Sequence, residues 1–473
     1  ETKKIEDEKF VDFFEAQLLL VLDSIKKNEY AKSLEQVKKL KLYEENGTLK
    51  FVVSNYLEVF INLFKDKVIN SELDNQFGKL SLINSTLQRC YLGDDKTENL
   101  FQNLINFEEE TSSRYLFFYI NYLVSKENYL KASNILTDID PINSTLLVAQ
   151  TKKWIDKKNY DEIKKIFSCS NSNDVISEFL FIISNLYSTE DAIDKSNFYF
   201  NLSYYLNPKF KFNKALLVDN YYQIKKFAKA KNILNSFDKK YEIYYWYKIK
   251  KNARIVLKEK NEAKSFKYIK NKFDSIENPS LRAIYEMGNI VKGFEKYELA
   301  IKYYSEALSK LSPSSITYAN ILYRRGGSYE RMGNERKADQ DLLKSLEINP
   351  DEPHVLNYLA YSWLERNYKI DIAIEMLEKA YDQRKNDPYI IDSLGWAYYL
   401  IGDYVRAEKL LRRAVEIMPR DPIVGDHYGD ILWKLGRKEQ ANYFWKNVLT
   451  FENVEEKMKK EIYYKLLQGL KNT

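Results

Sequence analysis

The chain has 473 residues, too many for one small core and enough for several domains or one extended array. Apolar residues make up 45% and charged residues 30%, with a net charge of +6, which excludes a disordered polyelectrolyte. Only 14 Gly and 9 Pro punctuate it, too few for a sheet-rich fold that turns every ten residues or so, so long helices with short turns are expected. No run of about 18 apolar residues occurs, and no bilayer span is expected.

The start at Glu1 rather than Met gives the expectation that an N-terminal segment, such as a signal peptide, has been removed. The first apolar stretch, FFEAQLLLVLDSI from Phe13 to Ile25, is short, holds Glu15 and Asp23, and reads as a buried helix. Beyond it an aromatic column recurs at Tyr30, Tyr129, Tyr160, Phe227, Tyr297 and Tyr404. Three residues after each stands Ser33, Ala132, Ile163, Ala230, Ala300 or Ala407. The first four gaps, 99, 31, 67 and 70 residues, are close to whole numbers of one unit. SNFYFNLSYYLNP fills a vacant slot with Ser196, Ser203 and Pro208. Residues 1–280 are therefore expected to be degenerate helical repeats. Residues 70–112 hold no column and are expected to form an irregular helix pair or a longer loop. Cys90 and Cys169 lie far apart with no metal spacing, and read as two buried small apolar residues that do not decide the compartment.

From Tyr205 to Lys272 there are 19 Lys plus Arg against 5 Asp plus Glu, interleaved with aromatics. Such charge suits an anionic membrane surface or an acidic protein, or is simply a solvated face. No RNA- or DNA-reading motif accompanies it, so nucleic acid is not expected.

After residue 280 the period is explicit. Small residues at Gly288, Gly326, Ala360, Gly395 and Gly429 are separated by 38, 34, 35 and 34 residues. A second column, Ala300, Ala338, Ala373, Ala407 and Ala441, keeps steps of 38, 35, 34 and 34. A third runs through Ala307, Ser345, Ala380 and Ala414 to Val448, with Pro313, Pro350 and Pro419 behind three of its members. The pattern predicts antiparallel helix pairs near 283–310, 319–347, 354–382, 389–416 and 423–449, with small residues facing one another inside each pair. One pair cannot bury its own apolar face; stacked neighbours do. Residues 451–473, with MKKEIYYKLLQGLKN, read as a final amphipathic helix capping the array.

LGWAYYLIGDYVRAEKLLRRAVEIMP resembles a tetratricopeptide repeat, and the resemblance covers residues 281–450 as five consecutive units. It implies an all-α, right-handed superhelical solenoid of about 10–13 helix pairs over the whole chain. VLNYLAYSWLER, DSLGWAYYLIGDYVRAEKLLRRA and DHYGDILWKLGRKEQANYFWKNVL are also similar to the C-terminal part of exported repeat proteins of proteobacteria. That implies a periplasmic or envelope location, with a cytoplasmic one still open, and a role as adaptor for an envelope enzyme. One subclass of such repeats clamps a C-terminal carboxylate with paired Lys and Asn. The corresponding sites here carry Asn357, Asp392 and Asp426, so that clamp is not expected.

No catalytic or metal pattern emerges: His354 and His427 have no second ligand at metal spacing, and no phosphate loop, nucleophile elbow or HExxH occurs. Neither an enzyme nor a bound cofactor or metal is expected. The register of the first helices places Tyr323, Asn357, Tyr361, Asp392, Trp396, Tyr399, Asp426, Asp430 and Trp433 on the inner face. Two readings stand: an aromatic and acidic groove for a protein or peptide partner, or tryptophans that merely pack between helices. The first makes the chain a non-catalytic interaction scaffold. Its rival is a structural subunit of a membrane-associated assembly that docks through residues 205–272.

Overall fold

The computed structural model describes residues 13–470 apart from 45–47, 71, 72, 74, 75, 107–111, 138, 141 and 453, and omits the side chains of 112 and 113. The described residues are helical throughout, with no strand. Two compact units divide at Ala283 and Ile284.

In the first unit the 18-residue helix Leu49–Asp66 is accompanied by helix pairs, beginning with Phe14–Lys26 and Tyr30–Leu40 and ending with Glu242–Glu259 and Glu262–Asp274. Residues 70–112, where no column could be read, contain the pair Lys79–Leu92 and Thr97–Ile105. The second unit begins inside Leu281–Gly293, whose partner is Tyr297–Leu308. The pairs Ile316–Arg331 with Glu335–Ile348, Pro353–Glu365 with Ile370–Gln383, Pro388–Leu400 with Tyr404–Ile417, and Pro422–Lys434 with Lys438–Val448 follow, and Glu456–Gln468 closes the array.

The six aromatic residues of the column each open a second helix as its first residue. The turn before them explains why. The second residue upstream has a left-handed backbone, as at Asn28, Glu127, Lys158, Lys225, Glu295 and Gly402. Such a residue lets the chain reverse while the next N–H bonds back to a carbonyl of the previous helix, as Glu29 N to Ser24 O at 2.9 Å and Asp403 N to Tyr398 O at 2.9 Å. First helices start differently: Asp387 and Asp421 accept from backbone N–H groups of the first turn, and Pro388 and Pro422 follow them.

Inside the pairs the glycines of the small-residue column meet large side chains, and Gly326 also meets the backbone of Ala338 in the second small column. An ideal Cβ on Gly288 would lie 2.7 Å from Tyr304, one on Gly326 3.0 Å from Leu342, and one on Gly395 2.8 Å from Leu411. Each partner stands sixteen residues downstream. The glycine therefore makes room for one large core residue of the facing helix, and the expected approach to the second small column is seen at Gly326, where a Cβ would stand 3.3 Å from the Ala338 carbonyl oxygen.

Two features of the first unit were not foreseen. Cys90 and Cys169 form a disulfide across a sequence separation of 79, which corrects their reading as separate apolar residues. They are buried beside one another, and close approach rather than sequence spacing decides the bond. Replacing both by Ser is expected to cost about 2–5 kcal/mol, because the bond closes a long loop in the unfolded chain. Urea unfolding of the two proteins checks this; coincident midpoints would contradict it. The other feature is a buried ion pair. The Arg114 guanidinium donates to both Glu178 carboxylate oxygens at 2.8 and 2.6 Å, and to Asn213 Oδ1 at 3.1 Å, while lying 4.1 Å from the Phe181 ring centroid. It is fully paired, as a buried charge must be.

Candidate functional site

In the second unit the first helices of successive pairs touch one another, as Pro353–Glu365 touches Pro388–Leu400 and the latter touches Pro422–Lys434. They form one continuous face, and the nine residues singled out from the register all lie on these helices.

The structure separates the nine into two groups. The aspartates are buried and internally neutralised. Asp392 is 4% exposed and faces His427, whose Nδ1 lies 3.1 and 2.9 Å from its two carboxylate oxygens. Burial pulls the His427 pKa down, but Asp392 first, with Asp426 and Asp430 after it, together offset this, so the imidazole is held above its ordinary value. Asp426 and Asp430 share one cation: Lys465 Nζ lies 2.8 and 2.7 Å from the Asp426 oxygens, and 2.7 and 2.8 Å from those of Asp430. Trp445 Nε1 also donates to Asp430 Oδ1 at 3.0 Å. Even so, burial first and the neighbouring Asp426 second push the Asp430 carboxyl up to about 6. Lys465 comes from the closing helix, which thereby docks onto the last repeat through charge as well as apolar contact. Trp433 belongs here too: its ring lies 5.4 Å from Trp445 and against the backbone of Gly469.

The second group is half-buried on the first helices: Tyr323, Asn357, Tyr361, Trp396 and Tyr399. Trp396 stacks on Tyr399 at 4.7 Å and on His427 at 4.0 Å, both at 11° between planes. The Asp392–His427 pair therefore fixes the ring that holds Trp396. Tyr323 meets Tyr358 edge-on at 5.7 Å. Burial first, then Glu365 and Asp392, raise the Tyr361 hydroxyl pKa, so it remains a proton donor at neutral pH. The amide oxygen of Asn357 is buried without a hydrogen-bond partner.

Register reasoning missed His427 and Lys465 as the partners of these acids. A signal existed: Asp392 and His427 are 35 residues apart, and so are Asp430 and Lys465, one repeat step in each case. In the basic stretch of the first unit several lysines are already tied, Lys211 to Asp238, Lys231 to Glu259, Lys240 to Glu162 and Lys251 to Asp219, which reduces the charge available to a surface.

Residues 256–454 match the family model described as tetratricopeptide repeat. Over 111 residues the chain is 33% identical to the TPR repeat-containing protein PA4667 of Pseudomonas aeruginosa, covering 24% of this chain and 19% of that one. The chain thus spans about a fifth of that relative's length. Among solved structures it is similar to TTC0263, a thermophilic TPR protein of Thermus thermophilus, with 17% identity, 40% of this chain and 100% of that chain covered, and a TM-score of 0.35. It is also similar to pilF of Pseudomonas aeruginosa, with 16% identity, 40% and 87% coverage, and a TM-score of 0.34.

Proposed function

We propose that the tetratricopeptide repeats within residues 256–454 form a non-catalytic scaffold whose inner face holds an extended protein or peptide partner. Repeats of this family generally mediate protein–protein contact. The observation that carries the reading is the half-buried aromatic ladder of Tyr361, Trp396 and Tyr399 on one continuous helix face. Its acidic neighbours are satisfied within the chain, so on this stretch the rings and not the aspartates offer the contact. Trp396 is held by stacking on Tyr399 and His427, and a pre-organised ring loses little entropy on binding. The Cys90–Cys169 bond supports an oxidising compartment, and with the resemblance to exported repeat proteins it supports a place in a bacterial envelope.

The test is affinity capture from the native organism with the wild-type chain and with Tyr361→Ala and Trp396→Ala variants. The partner recovered by the wild type is expected to bind each variant more weakly by about 2 kcal/mol, roughly thirtyfold. Circular dichroism verifies that the variants fold. Undiminished affinity in both folded variants overturns the aromatic groove.

A further inference from the structure

Three successive first helices converge at one point of the second unit. Lys292 ends Leu281–Gly293, Gly327 lies in Ile316–Arg331, and Tyr358 lies in Pro353–Glu365. An ideal Cβ on Gly327 would stand 3.2 Å from Lys292 Nζ and 3.2 Å from Tyr358 Oη. The absent side chain lets an ammonium and a phenol from the flanking repeats reach toward each other over a bare backbone floor. Gly327 has ordinary helical backbone, so its freedom from a side chain matters here, not its conformation.

The charges are not balanced. No carboxylate among the described residues lies at ion-pair distance from Lys292, whereas Lys465 of the closing helix, also half-buried, meets two. The neighbouring charges are mostly of the same sign: Arg324 and Arg331 disfavour the ammonium, and only Glu330 favours it. Glu330 is itself engaged, accepting from Tyr358 Oη at 2.9 Å. Burial first, then the two arginines, bring the Lys292 pKa down to about 8. A partly buried cation surrounded by cations is costly unless an anion completes it. The residue before Tyr358, Asn357, adds an amide oxygen that is buried and unpaired, a ready acceptor for a backbone N–H.

We propose that Lys292 and Arg324 beside the Gly327 floor form an anion site that receives an aspartate or glutamate side chain of the partner polypeptide, with Tyr358, whose hydroxyl proton goes to Glu330, as its wall and Asn357 accepting from that partner's backbone. The site rests on the inner face being a polypeptide groove and names what its N-terminal part selects. The groove is then polarised: a cationic opening at the first three repeats, and an aromatic stretch toward the closing helix.

The test uses the full chain and two blocked peptides, acetyl-tetraglutamate amide and acetyl-tetraglutamine amide. Binding is followed by calorimetry and by the side-chain NMR signals of labelled lysine. The glutamate peptide is expected to bind saturably, to shift the Lys292 signal and to raise its titration midpoint, while the glutamine peptide binds at least tenfold more weakly. Lys292→Met removes an unbalanced charge, so it is expected to fold normally and to lose glutamate-peptide affinity at least tenfold. Gly327→Val, which fills the floor, is expected to do the same with Lys292 intact. Equal binding of the two peptides, no binding of either, or wild-type affinity in Lys292→Met overturns the anion site. Failure of the aromatic groove is separate: peptide binding lost in Lys292→Met, together with native-partner capture undisturbed by Tyr361→Ala and Trp396→Ala, retains the anion site and discards the ladder.

Discussion

Gly429→Leu is expected to destabilise the second unit by about 3 kcal/mol or more, the upper end of what overpacking costs. A Cβ on Gly429 would already stand 2.5 Å from Trp445 Cδ1, and Trp445 is 0% exposed. The indole cannot swing away: its Nε1 is hydrogen-bonded to Asp430 and its ring lies against Trp433. A leucine must either push the second helix outward or expel the tryptophan, breaking that bond in a buried site. Gly436 is the control. Its left-handed φ of 79° makes alanine strained, but open space surrounds it, so Gly436→Ala is expected to cost only about 1 kcal/mol. Urea unfolding of both variants checks this. A Gly429→Leu midpoint equal to the wild type would show that helix Pro422–Lys434 is rotated from the orientation described.

The same residue explains how far the sequence could be read. In the last five pairs the glycines mark two different needs, close packing at Gly395 and Gly429 and left-handed turns at Gly333, Gly402 and Gly436, while Glu295 and Asn367 hold that turn in the other two pairs. In the first unit the left-handed turn persists, but Asn28, Glu127, Lys158 and Lys225 occupy it. A turn tolerated at a modest energetic cost leaves no compositional mark, which is why only the aromatic column survived there. The inner-face residues were legible as positions and not as environments. Helical register says which way Asp392, Asp426 and Asp430 point; it does not say that a residue one repeat away is waiting to neutralise them. Cys90 and Cys169 were illegible for a related reason: their meeting depends on how helix Lys79–Leu92 packs against the turn before Ser172–Thr189, and no periodic column encodes that.

Lys465→Met is expected to cost about 3–5 kcal/mol at about pH 7, because it leaves two buried carboxylates without their shared cation. The effect should be pH-dependent, with a defined sign. Asp430 is already raised from 3.8 to about 6 by burial and by Asp426. A carboxyl raised in the folded state favours its protonated form there, so folding loses stability as pH rises from the unfolded value through the folded one. Lys465 limits that loss by holding the ionised form, and its own ammonium is held by the same two aspartates against the burial that would discharge it. Without Lys465 the Asp430 carboxyl rises further, the penalty at neutral pH grows, and protonation relieves it. The gap between variant and wild type should therefore narrow as pH falls from about 7 to about 5, where a protonated Asp430 no longer needs a cation. Chemical unfolding at the two pH values measures it. A gap of the same size at both would mean that Lys465 acts through packing of its stem and not through charge, and no gap at either would mean that the closing helix is held by Ile462 and Val454 alone.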